Sequence, residues 1–123
     1  MAILEISQDV RDSVLVVAVG GDIDSASVEA LDTHLAAALK TAASLPTRLL
    51  IIDLGRVTYF GSAGLNAIVA CYQSGEFDGV AVRVVASTAE VIRPLQVTRL
   101  DEVISPYPTV SDALAGTPSD EYE

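Results

Sequence analysis

Apolar and polar positions divide this 123-residue chain into short segments whose periodicity changes repeatedly. Runs of apolar and β-branched residues that are too short for a helix, such as VLVVAV, predict strands. Residues 54–59 are predicted to form a turn and connector, and another turn is predicted around 9–12. The predicted strands lie at residues 3–7, 14–19, 48–53 and 80–86, with a short last strand at 103–107.

Apolar residues spaced three and four apart predict helices between these strands. A first helix is predicted from 26 to 42 with Ser25 as its N-cap, and a second starts near Ser62 and ends near Gly75. Two further helices are predicted at 88–97 and 109–115.

A pair of opening strands followed by alternating strands and helices places the chain in the α/β class. Crossover connections through helices make part of the sheet parallel. We therefore expect a mixed sheet of four to five strands packed with about four helices. Residues 1–116 would form this single domain, and the acidic tail at 117–123, TPSDEYE, is predicted to be disordered because it has little to bury.

The composition restricts the classes of function. An excess of 17 acidic over 7 basic side chains gives a formal charge of -10, which disfavours direct contact with nucleic acid phosphates or anionic lipids. The single cysteine, Cys71, cannot form an internal disulfide, and no Cys/His cluster has the spacing of a metal site. No apolar run approaches the roughly 20 residues that cross a bilayer. We expect a cytoplasmic protein without a metal, a cofactor or a membrane-inserted segment.

The segment YFGSAGLNAIVA at 59–70 places a serine between two glycines at the start of a predicted helix. As a helix N-cap, Ser62 would accept a hydrogen bond from a backbone N–H two or three residues later. As a phosphate acceptor, Ser62 would carry its charge beside free N–H groups and the positive end of the helix dipole. Phosphorylation would then preserve the fold, while about -1.5 to -2 added charges would oppose a partner that docks flat against this surface.

A third role for Ser62, as the nucleophile of a hydrolase, has less support. An elbow of the form G-x-S-x-G would need a glycine where the chain has Phe60, so that only Gly64 fits. The one histidine, His34, falls to the side of the apolar stripe of the first helix, where a solvated or rim position is expected. We therefore expect no enzymatic activity.

Three stretches of the chain resemble the STAS domain family, named for sulfate transporters and anti-sigma factor antagonists, and especially its small stand-alone antagonists. They are GGDIDSASVEAL at 20–31, LLIIDLGRVTYFGSAGLNAI at 49–68 and RPLQVTRLDEVI at 93–104. The second stretch is the most specific, because it joins a strand, an Asp-Leu pair, aromatic residues, a serine and a Gly-Leu pair. Neither G-x-G-x-x-G nor G-x-x-x-x-G-K-[ST], the motifs of generic nucleotide-binding domains, occurs in the chain.

The resemblance implies an anti-anti-sigma factor. Such a protein, when unphosphorylated, binds an anti-sigma factor that is also a serine kinase, and so releases a sigma factor. Phosphorylation of the family serine, which falls on Ser62, ends this binding, and a phosphatase restores it. The implied partner-binding residues are Asp22, Asp24, Gly61, Ser62, Ala63, Gly64 and Leu65.

The same resemblance allows a second function, that of a cytosolic adaptor subunit in a membrane complex that transports phospholipids. It also brings out positions where this chain differs from the common family pattern. The family commonly has Asp before the serine and Ser or Thr around it, where this chain has Gly61 and Ala63. In the third stretch the family often has Gly before Leu, where this chain has Arg99.

Overall fold

A computed structural model describes residues 3–116 and shows one mixed four-stranded sheet with helices on both faces. Strand β1 is antiparallel to β2, whereas β3 runs parallel to both β2 and β4. The predicted α/β class and mixed sheet are confirmed, while the predicted disordered tail at 117–123 lies outside the described residues. The elements are β1 (Glu5–Arg11), β2 (Val14–Ile23), α1 (Val28–Ala43), β3 (Leu49–Phe60), α2 (Ser62–Asp78), β4 (Ala81–Val85), α3 (Ala89–Val97), a short 3-10 helix (Leu100–Glu102) and α4 (Val110–Ala115).

A tight hairpin joins β1 to β2. The pairing of Arg11 with Val14 leaves only Asp12 and Ser13 in the turn. Both turn residues have positive φ, 52° and 65°, which is the combination that a two-residue turn of type I′ requires. The predicted position of the turn at 9–12 is therefore wrong, since β1 continues to Arg11.

Strand β3 is longer than the sequence pattern predicts. Residues 54–59, predicted as a connector, continue the strand as far as Phe60 and pair with the end of β2. Most of their side chains are exposed, so the apolar pattern of a strand fades there. Two irregularities in the β2–β3 register fall in the same region, which is where bulges re-aim side chains near the end of a strand.

Two apolar clusters cover the two faces of the sheet. The larger lies between the sheet and helices α1, α2 and α3, and includes the fully buried Leu15, Leu31 and Ile52. Strand β2 and the first part of β3 are buried on both faces of the sheet, which explains their nearly continuous apolar runs. The smaller cluster, under α4, contains Val14, Val16, Leu49, Ile51, Val85 and Ala113.

Two helix ends differ from their predicted positions. Helix α1 has Ser27, not Ser25, at its N-cap. Helix α2 passes through Gly75 and ends at Asp78, followed by the left-handed Gly79. Gly75 is a packing residue and not a helix end, because a Cβ there would lie 2.7 Å from a side-chain carbon of β4. The predicted third and fourth helices are confirmed as α3 and α4.

The short strand predicted at 103–107 is wrong. Only Tyr107 pairs with the sheet, through an isolated parallel bridge to Val85. Before it, Arg99 adopts a left-handed conformation with φ of 64° and leads into the 3-10 helix at Leu100–Glu102. This turn bends the chain away from an extended path, so that it reaches the edge of β4 only at Tyr107.

Candidate functional site

The parallel strands β2 and β3 end at the same edge of the sheet, so the loops that follow these two strands lie side by side. Ile23 at the end of β2 pairs with Phe60 at the end of β3. Next to this pair, the Gly61 N–H donates a hydrogen bond to the Ile23 carbonyl oxygen at 3.2 Å. The backbone therefore brings the segment that contains Asp22 and Asp24 beside the start of α2.

Ser62 is the first residue of α2 and is exposed to solvent. The N-cap is Gly61, whose extended backbone (φ -87°, ψ -173°) precedes the helix without a side-chain cap. The interpretation of Ser62 as the N-cap is therefore wrong. Its position places an exposed hydroxyl group at the end of the helix where the free N–H groups and the positive end of the dipole lie.

The two glycines at the start of α2 have different packing roles. A Cβ on Gly64 would lie 2.9 Å from Cδ1 of the buried Phe60 and 3.0 Å from Cγ2 of Ile23. A Cβ on Gly61 would lie 3.0 Å from the hydroxyl oxygen of Tyr59, whose side chain is exposed. Gly64 thus lets α2 approach the ends of β2 and β3 closely, and Gly61 leaves room for an aromatic ring.

The remaining predicted contact residues of α2 are only half-buried. Leu65 packs partly against the main core, and its N–H donates a hydrogen bond to the Gly61 carbonyl oxygen at 3.1 Å in the first turn. Ala63 is also half-buried. Ala63 is adjacent to Ser62, and Leu65 lies within one turn of it, so a partner that covers Ser62 would meet both. Their contact with a partner stays a prediction.

The carboxylates of Asp22, at the end of β2, and Asp24, in the loop between β2 and α1, both accept hydrogen bonds. Asp24 Oδ1 accepts hydrogen bonds from the N–H groups of Ala26 and Ser27, each at 3.0 Å. Asp22 Oδ1 accepts a hydrogen bond from the Thr58 hydroxyl at 2.6 Å, which joins the end of β2 to β3 through their side chains. The sequence interpretation missed Thr58, because no local pattern signals a contact between residues 36 positions apart.

Comparisons with known proteins identify the family. A model of the STAS domain matches residues 5–113. The chain belongs to the STAS domain family. The anti-sigma-F factor antagonist RsfB of Mycobacterium tuberculosis is 34% identical to this STAS domain over 108 residues, which cover 86% of this chain and 83% of that protein.

Solved structures agree with this family. The crystal structure of an anti-sigma factor antagonist from Mycobacterium paratuberculosis resembles this STAS domain with a TM-score of 0.84 and 32% identity, covering 93% of each chain. The Bacillus cell fate determinant SpoIIAA in its phosphorylated form has a TM-score of 0.67 at 15% identity, covering 94% of this chain and 100% of that one. The likeness to SpoIIAA, at this low identity, shows the fold alone.

The fold of this STAS domain places His34 away from Ser62. His34 Nε2 lies 3.0 Å from Gln8 Oε1 of strand β1, and Gln8 pairs with Val17 of β2. Val17 is roughly 20 Å along the strand from Ile23, the residue that contacts the start of α2. Ser62 therefore has no histidine beside it to act as a general base.

Cys71 is buried in α2, as predicted for a small apolar side chain. Burial, with a smaller contribution from the negative charge of Asp32, raises the pKa of its thiol to about 12. The thiol is therefore protonated near neutral pH and lacks the thiolate that reacts.

The sequence also predicts that metal ligands and membrane spans are lacking. Within residues 3–116, His, Cys, Asp and Glu side chains form no group of three or more that could hold a metal ion. Among the helices of that part of the chain, none combines the length and the apolar character needed to cross a membrane.

Proposed function

We propose that this STAS domain is an anti-sigma factor antagonist, which in its unphosphorylated form binds an anti-sigma factor and so releases a sigma factor. It acts in the cytoplasm and has no catalytic activity of its own. The similarity to antagonists from two Mycobacterium species, at 34% and 32% identity, supports this function. The observation that carries the proposal is the exposed Ser62 at the first position of α2, within a chain that the STAS model matches over residues 5–113.

Phosphorylation of Ser62 by the anti-sigma factor, acting as a serine kinase, switches the antagonist off, and a phosphatase restores it. A phosphate on Ser62 adds about -1.5 to -2 charges at the N-terminus of α2, where the helix dipole and free N–H groups tolerate an anion. The same charge is costly under a docked partner, because it would have to lose its hydration without a matching cation. The fold thus survives while the complex dissociates.

Two observations support a phosphate at this position. SpoIIAA, which shares this fold, has been solved in a phosphorylated form. In this chain Gly64 packs the first turn of α2 against the side chains of Phe60 and Ile23. The Ser62 side chain does not cap this turn with a hydrogen bond. Adding a phosphate to the hydroxyl therefore removes no helix cap.

The partner-binding surface surrounds Ser62. Its centre is the exposed start of α2, and its rim is the loop that follows β2. The carboxylates of Asp22, at the end of β2, and Asp24, in the loop that follows, are proposed to add negative charge near the hydroxyl, which would oppose the phosphate after transfer. The proposed contact residues are Asp22, Asp24, Gly61, Ser62, Ala63, Gly64 and Leu65.

Reconstitution tests this function. The purified chain is mixed, with Mg-ATP, with each serine-kinase anti-sigma factor of the source organism, and phosphorylation is followed by intact mass and peptide mapping, with Ser62→Ala as the control. We expect one kinase to bind the unphosphorylated chain, to modify Ser62 and then to release the product. Binding of none of these kinases, or equal affinity before and after modification of Ser62, would contradict the proposal.

A further inference from the structure

The last two residues of β3 point to opposite sides of the sheet, as the alternation of a strand requires. Phe60 is buried, with only 5% of its surface exposed, whereas Tyr59 keeps 54% exposed. Each ring lies against one of the glycines at the start of α2: Phe60 against Gly64 and Tyr59 against Gly61. One aromatic residue therefore fixes the helix to the core, and the other remains on the surface.

The exposed ring lies against the start of α2. A Cβ on Gly61 would lie 3.0 Å from both Cε2 and Oη of Tyr59 and 3.3 Å from Cζ. The hydroxyl end of the ring thus lies directly against the backbone of the residue that precedes Ser62. A tyrosine side chain has few rotatable bonds, so it offers a large contact area at a low cost in conformational entropy, which is why tyrosine suits recognition surfaces.

The polar groups around this ring are used unequally. Asp22 and Thr58 bond to each other, and Asp24 bonds to the backbone of its own loop. Within residues 3–116, the hydroxyl groups of Tyr59 and Ser62 take part in none of the hydrogen bonds at this edge of the sheet. These two hydroxyl groups are therefore available to a partner.

We propose that Tyr59 is a specificity-determining contact for the serine-kinase anti-sigma factor, an inference that rests on the function proposed above. A kinase that transfers the γ-phosphoryl group of ATP to Ser62 Oγ, releasing ADP and a proton, must bring its active site to that oxygen. The Tyr59 ring lies against Gly61, the residue directly before Ser62, so a kinase surface that reaches Ser62 also meets the ring. Aromatic residues with hydroxyl tips are frequent energetic centres of such interfaces.

Three substitutions test this role. Tyr59→Ala is expected to lower affinity for the kinase and to raise the KM for Ser62 phosphorylation by about tenfold or more, with kcat changed by less than about threefold. Tyr59→Phe keeps the ring and loses only the hydroxyl, so a smaller loss is expected. Gly61→Ala displaces the ring and is expected to lower affinity in the wild-type background, but to add little to Tyr59→Ala.

Phe77 provides the matched control, because it is an aromatic residue at the other end of α2 with 92% of its surface exposed. Phe77→Ala should leave kinase binding unchanged, and the urea midpoints of Tyr59→Ala and Phe77→Ala should match that of the wild type. Equal kinase affinity for the wild type, Tyr59→Ala and Phe77→Ala, with loss of binding for Ser62→Glu, would overturn the role of Tyr59 and leave the antagonist function intact. If no serine-kinase anti-sigma factor binds the wild type, the function itself fails.

Discussion

Gly64 in the first turn of α2 rests directly on the ring of Phe60 at the end of β3, and a Cβ on Gly64 would lie 2.9 Å from both Cδ1 and Cε1 of that ring. The contact joins the buried end of the strand to the helix that presents Ser62. The contact between Phe60 and Gly64 therefore determines how closely the start of α2, with the proposed phosphorylation site, packs on the core.

Gly64→Ala should consequently destabilise the domain. Overpacking against Phe60 costs about 1–3 kcal/mol, and the better helix propensity of alanine returns up to about 1 kcal/mol of this loss. We expect a net loss of about 1–2 kcal/mol in the free energy of unfolding, measured by urea titration. Gly55→Ala serves as the control, because Gly55 is exposed and its Cβ would approach only Asp53 Oδ1, at 3.1 Å. Wild-type stability for Gly64→Ala would show that α2 does not rest tightly on β3.

Arg48 joins the C-terminal ends of α1 and α2, although its own backbone is left-handed, with φ of 48°. Its guanidinium donates to the carbonyl oxygens of Ala43, Gly79 and Asp78 at 3.0, 3.1 and 2.8 Å. These carbonyls lie at the negative ends of two helix dipoles, so a cation there is favourable.

Arg48→Gly should therefore lose about 1–2 kcal/mol relative to Arg99→Gly. Both substitutions relieve a left-handed residue, because Arg99 has φ of 64°, but Arg99 gives up only an exposed ion pair with Glu102 at 2.9 Å. Urea unfolding of the two variants measures the difference. Equal stability of the two variants would mean that the three hydrogen bonds of Arg48 contribute nothing.

Cys71 should make stability depend on pH in the alkaline range. The pKa of the thiol is 9.0 ordinarily and about 12 in the folded chain, so below pH 9.0 it is neutral in both states and contributes no difference. Above pH 9.0 only the unfolded chain ionises this thiol, and the free energy of unfolding falls by up to about 1.4 kcal/mol per pH unit.

The comparison with Cys71→Ala isolates this effect from the other groups that titrate at high pH. Between about pH 8 and about pH 10, the wild type should lose about 1.4 kcal/mol more stability than the variant. Parallel pH profiles for the two proteins would contradict the burial of the thiol in the folded state.

Two substitutions of Asp24 distinguish its structural role in the loop from the proposed role of its negative charge in the switch at Ser62. Its Oδ1 accepts two backbone N–H bonds, so Asp24→Ala should cost about 1–2 kcal/mol of stability. Asp24→Asn keeps an acceptor oxygen but removes the negative charge, and we expect near wild-type stability with an altered phosphorylation rate or partner affinity. If Asp24→Asn changes neither the rate nor the affinity, the charge of Asp24 has no part in the switch.

The order of elements was predictable because the apolar periodicity is strong where side chains enter one of the two cores. Prediction failed where tertiary contacts replace that pattern. The end of β3 is polar and exposed yet pairs with β2, and residues 103–107 look extended although only Tyr107 reaches the sheet.

The site shows the same division. Ser62 and its glycines were predictable from one short stretch and from the resemblance to the STAS family. The Tyr59 ring over Gly61 and the bond between Thr58 and Asp22 were not, because they depend on register irregularities between two strands. Such contacts have no signature in the local sequence.

The most direct test of the account compares three baits in a lysate of the source organism: the wild type, Ser62→Glu, and Ser74→Glu as a control with the same charge at another exposed position of α2. Captured proteins are identified by mass spectrometry. We predict that a serine-kinase anti-sigma factor is retained by the wild type and by Ser74→Glu but lost with Ser62→Glu. Equal capture of that kinase by all three baits, or capture of a membrane permease with its ATPase and no anti-sigma factor, would contradict the switch at Ser62.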